Sequence, residues 1–428
     1  MRSSVNPLHN GDEYPGHDLE DQEGQAPAAQ QSPTQLSSTD GTTERWRAEL
    51  AQHDGLRRVL KFSGTVFPQS RCSPGWIPCF LWPFSLVVVI AGAMWIVWVD
   101  WTQARTFMYV VDLPILFGAG SALVCCVRLP IIAKRVIIGW SWSRSLDDES
   151  RPMAMLTSND LNKIARLSVA YTVLWISLGF ALWINDIIAQ NIRLKIWGVL
   201  PYTWIEWIHL CAPVPVLGAL LLILGIDAAL ATNKVKILLV AAREGKLTRE
   251  AYKITSDDLK KRTASWQWTL GPVALSSLWN TVGLMYILHQ PRIDIYASEL
   301  STLSLDLHHV LYLGKEVTVF FAILALMMGV NDNADSIAAV LNSETWGDGA
   351  SEEEATRQDL LLLATTYSIT PESATSMRAY VTKPRIRPIS FRVCGIRPTK
   401  DLFVSCVASL IVSLISILFK RLFKDGLS

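Results

Sequence analysis

Residues 207–245, WIHLCAPVPVLGALLLILGIDAALATNKVKILLVAAREG, decide how this chain is read. A bilayer's hydrocarbon core is ~30 Å thick and takes about 20 apolar residues to cross as a helix. The apolar run from 207 to 230 meets that length. Past Asp227 the helical pattern continues through Ala231, Val235, Leu238, Val240 and Ala241, with few breakers before Gly245. Lys234, Lys236 and Arg243 fall in that continuation. The stretch therefore predicts a membrane span whose helix runs on into a basic aqueous layer.

Six further stretches have the same character, giving predicted crossings at 77–99, 107–127, 167–189, 207–230, 267–289, 313–333 and 402–421. Lys and Arg sort between alternate connections. Before the first span lie Arg2, Arg45, Arg47, Arg57, Arg58, Lys61 and Arg71, and after the second lie Arg128, Lys134, Arg135, Arg144, Arg151, Lys163 and Arg166. Basic residues also crowd 234–262 and 357–400, whereas the other loops hold only Arg105, then Arg193 and Lys195, then Arg292. Basic loops stay on the cytoplasmic face. The expectation is an all-α polytopic membrane protein with seven transmembrane helices, a cytoplasmic N-terminus and an extracellular C-terminus, placed in the plasma membrane.

Composition agrees with this class. Half of the 428 residues are apolar and 18% are charged, so one multi-pass bundle fits better than a string of soluble domains. The N-terminus is polar and shows no cleavable signal peptide, so the first span is expected to serve for targeting. Residues 1–44 lack the apolar content to fold and read as a disordered cytoplasmic tail. Residues 45–75 read as an amphipathic interfacial segment, with Leu50, Leu56, Val59 and Leu60 on one face. The remaining division is spans one to four over 76–230, a cytoplasmic extension and loop over 231–266, and spans five and six with their extension over 267–341. A cytoplasmic linker with a helix at 358–367 covers 342–400, the last span covers 401–422, and 423–428 form a short outer tail.

Of seventeen tryptophans, thirteen are arranged as belts. Trp95, Trp98, Trp101, Trp183, Trp197, Trp204 and Trp207 mark outer ends, and Trp76, Trp82, Trp140, Trp142, Trp266 and Trp268 mark inner ends, as amphipathic rings prefer the interface. Trp175 and Trp279 fall inside spans and read as packing. The seven cysteines form no outer disulfide framework and the seven histidines show no ligand spacing, so no metal and no cofactor is expected. No hydrolytic triad, phosphate-binding loop or dinucleotide fingerprint occurs in the loops. An enzyme is disfavoured, and nothing points to nucleic acid.

The last span is the most distinctive. At ~100° per residue, Ser405, Ser409, Ser413, Ser416 and Lys420 fall within an arc of about 80°, with Val412 and Phe419 at its edge. Such a stripe either lets helices approach and hydrogen-bond or lines water. Isolated carboxylates occur at Asp112, Asp186 and Asp227; each costs ~2.5–3.5 kcal/mol at mid-bilayer, so each faces a partner, a cavity or water. Asp112 is the candidate for a ligand-facing or gating role, and Asp186 and Asp227 read as interface residues with access to water. Lys315 and Glu316 open the sixth span at its outer rim, as a local pair or a ligand contact. Asn280 and the run Asn331, Asp332, Asn333 and Asp335 read as helix contacts and a solvated helix end.

The inverted seven-span order, the enlarged inner loops and the C-terminal sequence Ile389, Cys394, Gly395, Ile396, Lys400, Leu402 and on to Phe419 resemble the insect gustatory and odorant receptor superfamily. Where that family shows Thr-Tyr and Gln-Phe in its last span, this chain has Ser413-Leu414 and Phe419-Lys420, as in a distant member. The resemblance implies a ligand-gated, non-selective cation channel, a tetramer of this chain with itself or a co-subunit. It implies a central pore lined by Ser405, Ser409, Val412, Ser413, Ser416, Phe419 and Lys420. It also implies a small-molecule pocket in the outer halves of the spans, near Tyr109, Asp112, Trp183, Tyr286 and Phe320. Lys420 and Arg421 at the outer mouth oppose cation entry. The alternatives are a G-protein-coupled receptor, which requires the opposite orientation, and a transporter or scaffold without a pore.

Overall fold

The computed structural model describes residues 54–64, 76–102, 113–145, 156, 158–193, 211–289, 299–341, 390–393 and 395–425. These form eight helices: α1 (Asp54–Phe62), α2 (Trp76–Thr102), α3 (Leu113–Ser145), α4 (Ser158–Arg193), α5 (Pro213–Arg243), α6 (Arg249–His289), α7 (Glu299–Leu341) and α8 (Lys400–Asp425). Extended pairing among the described residues is limited to one bridge, Val393 with Ile396.

Five of the helices are long and apolar enough to cross a membrane, at Ile77–Trp95, Leu116–Ile137, Asn159–Ala181, Pro213–Arg243 and Gly314–Val340. The expected spans at 267–289 and 402–421 are continuous helix within α6 and α8. Two boundaries differ from the sequence reading. The second apolar window reaches Ile137, past the expected end at 127, because Pro130 is taken up inside α3 without ending it; the expected start at 107 lies outside the described residues. The third begins earlier than 167, since the first turns of α4 are already apolar on one side.

α5 is the central post. From Cys211 to Ala231 every residue except Ala229 is buried, as expected of a helix apolar on all sides. α3, α4 and α7 pack around it, α6 bridges α3 and α7, and α2 lies outside on α3. α4 approaches α5 closely at two glycines: a side chain at Gly218 would collide with the Thr172 hydroxyl, and one at Gly225 would sit 2.8 Å from Ile164 Cγ2. The Ser168 hydroxyl donates to the Gly218 carbonyl at 2.6 Å across that contact. Small residues at a crossing bring helix backbones together where lipid supplies no hydrophobic drive.

Large apolar side chains are exposed on the outside of the bundle, among them Phe80, Phe84 and Trp95 on α2 and Leu167 and Val173 on α4. A bundle that buries small and polar groups and exposes large apolar ones is made for hydrocarbon surroundings. The run-on of α5 seen in the sequence is present. It ends where Gly245 takes φ 70° and the Lys246 amide donates back to the Ala241 carbonyl at 2.8 Å, a glycine-capped helix end. α1 buries Leu56 and Leu60 and exposes Arg58 and Lys61. The Trp82 indole N–H of α2 donates to the Phe62 carbonyl at 2.6 Å, tying α1 to the bundle.

Candidate functional site

Polar chemistry gathers in three places inside this apolar bundle. The first surrounds the start of the apolar part of α7. Lys315 and Glu316 were expected at an outer rim, but they are 0% and 2% exposed, with Lys315 Nζ 3.6 Å from Glu316 Oε1. Successive residues on a helix point ~100° apart, so the two reach different neighbours. The Ser277 hydroxyl of α6 donates to Glu316 Oε2 at 3.2 Å. Gly118 of α3 leaves room there: a side chain on it would meet Ser276 Oγ at 3.4 Å and Glu316 Oε1 at 3.6 Å. Asn280 donates to the Ser276 carbonyl at 3.0 Å, while its own Oδ1 is buried without a hydrogen-bond partner among the described residues. On the other flank Tyr171 lies in the field of Glu316 and Cys211 in that of Lys315. Trp175 packs on Gly314. Four helices, α3, α4, α6 and α7, and Cys211 just ahead of α5 thus converge on one charge pair, whose isolated members would each be costly in hydrocarbon.

The second place is the aqueous end of α5 and α6. Asp227 was expected to reach water but is 2% exposed, because α6 carries Arg262 and Trp266 against it. Arg262 pairs with Asp227, and the Trp266 indole N–H donates to Asp227 Oδ2 at 2.7 Å. Trp266 is therefore a buried ligand of a carboxylate, 1% exposed, and does not belong to the interfacial belt. Arg262 Nε also reaches Asp258 at 3.0 Å, and Lys234 reaches the same carboxylate at 2.8 Å. Burial alone would raise the Asp258 carboxyl, but Arg262 and Lys234 outweigh it and hold that group below its ordinary value. Burial likewise opposes the charge of Arg262, yet Asp227 and Asp258 prevail and raise it.

The third place joins α8 to the bundle. Residues Phe391 to Pro398 form a tight hairpin, with Val393 and Ile396 exchanging backbone hydrogen bonds at 2.9 and 2.8 Å. Gly395 turns it at φ 78°, a conformation natural to glycine. Asn331 of α7, 0% exposed, clasps this hairpin from beneath. Its Nδ2 donates to the Phe391 carbonyl at 3.0 Å and the Pro398 carbonyl at 2.6 Å. Its Oδ1 accepts from the Phe391 amide at 2.8 Å. Arg397 pairs with Asp335 at 2.7 Å and donates to the Asn331 carbonyl at 3.0 Å. The asparagine-rich end of α7 is thus a clasp where a solvated terminus was expected.

Beyond the clasp, α8 lies along the edge of α6 and α7, with Phe403 against Phe321 at a ring separation of 5.8 Å. A cavity of about 360 Å³, open along one side, runs between these helices. Ser405, Ser409 and Ser413 line it from α8, facing Phe320 and Thr281. Val412 and Phe419 are 62% and 59% exposed, and Ser416 is exposed beside them. The serine stripe therefore runs along the border between the trough and the open side of α8. The Lys420 side chain lies outside the described residues, as do Tyr109, Asp112, and the side chains of Tyr286 and Asp186. Trp183 stacks near Phe180 at 5.6 Å, and Phe320 faces the trough. Of the expected pocket residues, the described side chains are thus Trp183 and Phe320 alone. Among the described residues no three metal-ligating side chains cluster, and no disulfide joins the five cysteines among them.

A bundle with a buried post, a lipid-ready exterior and a last helix clasped to its edge defines a multi-pass helical membrane protein. Its fold is that of the insect olfactory receptors. The structure of the olfactory receptor OR5 from Machilis hrabei matches with a TM-score of 0.50, 11% identity, and coverage of 87% of this chain and 98% of that one. The same receptor in complex with eugenol matches with a TM-score of 0.50 and 11% identity over 87% and 99%. At that identity the likeness is one of fold. No protein-family model and no curated protein matches the sequence.

Proposed function

We propose that this chain is a distant member of the insect chemoreceptor superfamily and acts as a small-molecule-gated ion channel. Its seven helices cross the plasma membrane with the N-terminus in the cytoplasm. Four copies, of this chain alone or with a co-subunit, bring α8 together around a pore lined by Ser405, Ser409, Val412, Ser413, Ser416, Phe419 and Lys420. The observation that carries this reading is the fold itself, which spans 98% of a solved olfactory receptor chain. In support, α8 is held to the bundle along one side while Val412 and Phe419 remain exposed, as a face reserved for other copies requires. The ligand site of this reading lies in the outer halves of the spans, where Tyr109, Asp112, Trp183, Tyr286 and Phe320 were expected. The buried Lys315–Glu316 centre supports it with a polar, four-helix junction.

The reading is tested by expressing the chain in oocytes or lipid bilayers. Val412→Cys is then exposed to a charged thiosulfonate during conduction. Block of the current, together with a fourfold subunit count from particle images, is the expected result. A monomer, or current indifferent to modification at 412, 416 and 419, refutes it. Lys420→Glu should shift the reversal potential towards greater cation permeability, and an unchanged potential removes Lys420 from the pore.

A further inference from the structure

We propose that the trough between α8 and the α6–α7 edge holds one acyl chain of a membrane phospholipid, taken from the leaflet at the Lys400 end of α8. Its size and direction fit a hydrocarbon chain. The volume, about 360 Å³, is room for about a dozen groups of water or methylene size at ~30 Å³ each. From Ser405 to Ser413 the trough follows α8 for ~12 Å at 1.5 Å per residue, the direction that lipid tails take in a bilayer.

The walls select for apolar content. Leu278, Met285, Phe320, Phe321, Cys406 and Leu410 are six of the ten lining residues. Two of the lining hydroxyls are turned back onto their own helices: Ser413 donates to the Ser409 carbonyl at 2.8 Å and Thr281 to the Ser277 carbonyl at 2.7 Å. A polar guest would lose its water for few partners in return. The opening faces the same surroundings as the guest. Leu275 and Val282 on α6 and Ile411 and Ile415 on α8, the helices that wall the trough, are all about half exposed or more, so these two helices carry apolar surface suited to lipid beside it. Lys400, the first residue of α8 and so ahead of Ser405 in the lining, is exposed and offers positive charge to an anionic headgroup whose tail lies in the trough.

The inference requires α8 to lie in the membrane, as the proposed function does, but not that α8 line a pore; it gives Ser405, Ser409 and Ser413 to the trough and leaves the exposed Val412, Ser416 and Phe419 to face the pore of that reading. It is tested on the full chain in nanodiscs of phosphatidylcholine and phosphatidylglycerol doped with a phospholipid carrying a photoreactive diazirine in its tail. After illumination, the expected label on α6 and α8 trough residues exceeds that on the exposed α2 face around Phe80 and Phe84. Leu278→Trp, which fills the trough from an exposed position on its wall, abolishes the trough label and leaves the α2 label intact. The α2 label also reports that the variant is folded and embedded. If Leu278→Trp does not fold, Thr281→Trp makes the same test from the next turn of α6. Trough labelling no greater than on α2, or labelling that survives the filled trough, overturns the proposal. So does a Cys406-to-Cys406 crosslink between two copies with the trough unlabelled, which would make a second chain the occupant. Loss of current without loss of labelling sinks the channel reading and leaves this inference standing.

Discussion

Replacing Asn331 by leucine should free the hairpin that carries α8 while sparing the bundle. Leucine keeps the branched shape with methyls in place of the amide oxygen and nitrogen, so it removes every hydrogen bond of that amide; Asn331→Ala, which adds no bulk, is the companion variant. That amide makes three hydrogen bonds to the hairpin backbone, at 3.0, 2.6 and 2.8 Å. Each is worth ~1 kcal/mol net, and the orphaned buried carbonyls and N–H add to the penalty. A loss of about 3 kcal/mol is therefore expected in the local opening of the hairpin. At 1.4 kcal/mol per tenfold, amides of 391–396 should exchange with solvent deuterium roughly 100-fold faster. The α5 amides should be unaffected, since Asn331 does not support that helix. The assay is hydrogen–deuterium exchange read by peptide mass spectrometry on the chain in nanodiscs. Unchanged exchange in the hairpin, or an equal acceleration throughout α5 and α7, refutes the idea that Asn331 acts as a local clasp.

Arg262→Met leaves Asp227 buried without its ion partner, and ~3–5 kcal/mol of destabilisation is expected; it is read as a lower melting temperature in detergent. Combining it with Asp227→Leu should recover much of that loss, and a double variant no better than the single one would deny the pairing a role. The Asp258 carboxyl is held low by Arg262 and Lys234. Its stabilisation is therefore fully present above the ordinary carboxylate pKa of ~4 and is lost as the pH falls through the lowered folded value. Melting temperatures of wild type and Asp258→Asn should converge below about pH 4 and separate above it, with the wild type higher; parallel curves would remove Asp258 from the linkage.

Much of this fold was legible because hydrocarbon imposes a length and a composition on anything that crosses it. The apolar windows, the run-on of α5 to Gly245 and the amphipathic α1 all follow from local pattern. The polar sites were less legible because their partners are far apart in sequence. Asn331 meets Phe391 across 60 positions, and Asp227 meets Trp266 across 39. No periodicity encodes either contact. Trp266 looked like a belt residue since depth alone was considered, and its partner carboxylate decided otherwise. Lys315 and Glu316 lie at a span boundary in sequence, yet α7 begins at Glu299, so the pair sits several turns inside the helix. Periodicity puts the serine stripe on one face of α8, but which side of it meets its own bundle depends on how Phe403 seats on Phe321.

The clasp has a mechanical consequence. α8 is 26 residues long, ~39 Å at 1.5 Å per residue, and its described anchorage is concentrated at the root, around Asn331, Arg397 and Phe403. It is built as a cantilever. A rotation of only about 5° at the root swings the free end by ~3 Å over that length, so a sub-ångström shift of α7 beneath the hairpin arrives at the far tip several-fold amplified.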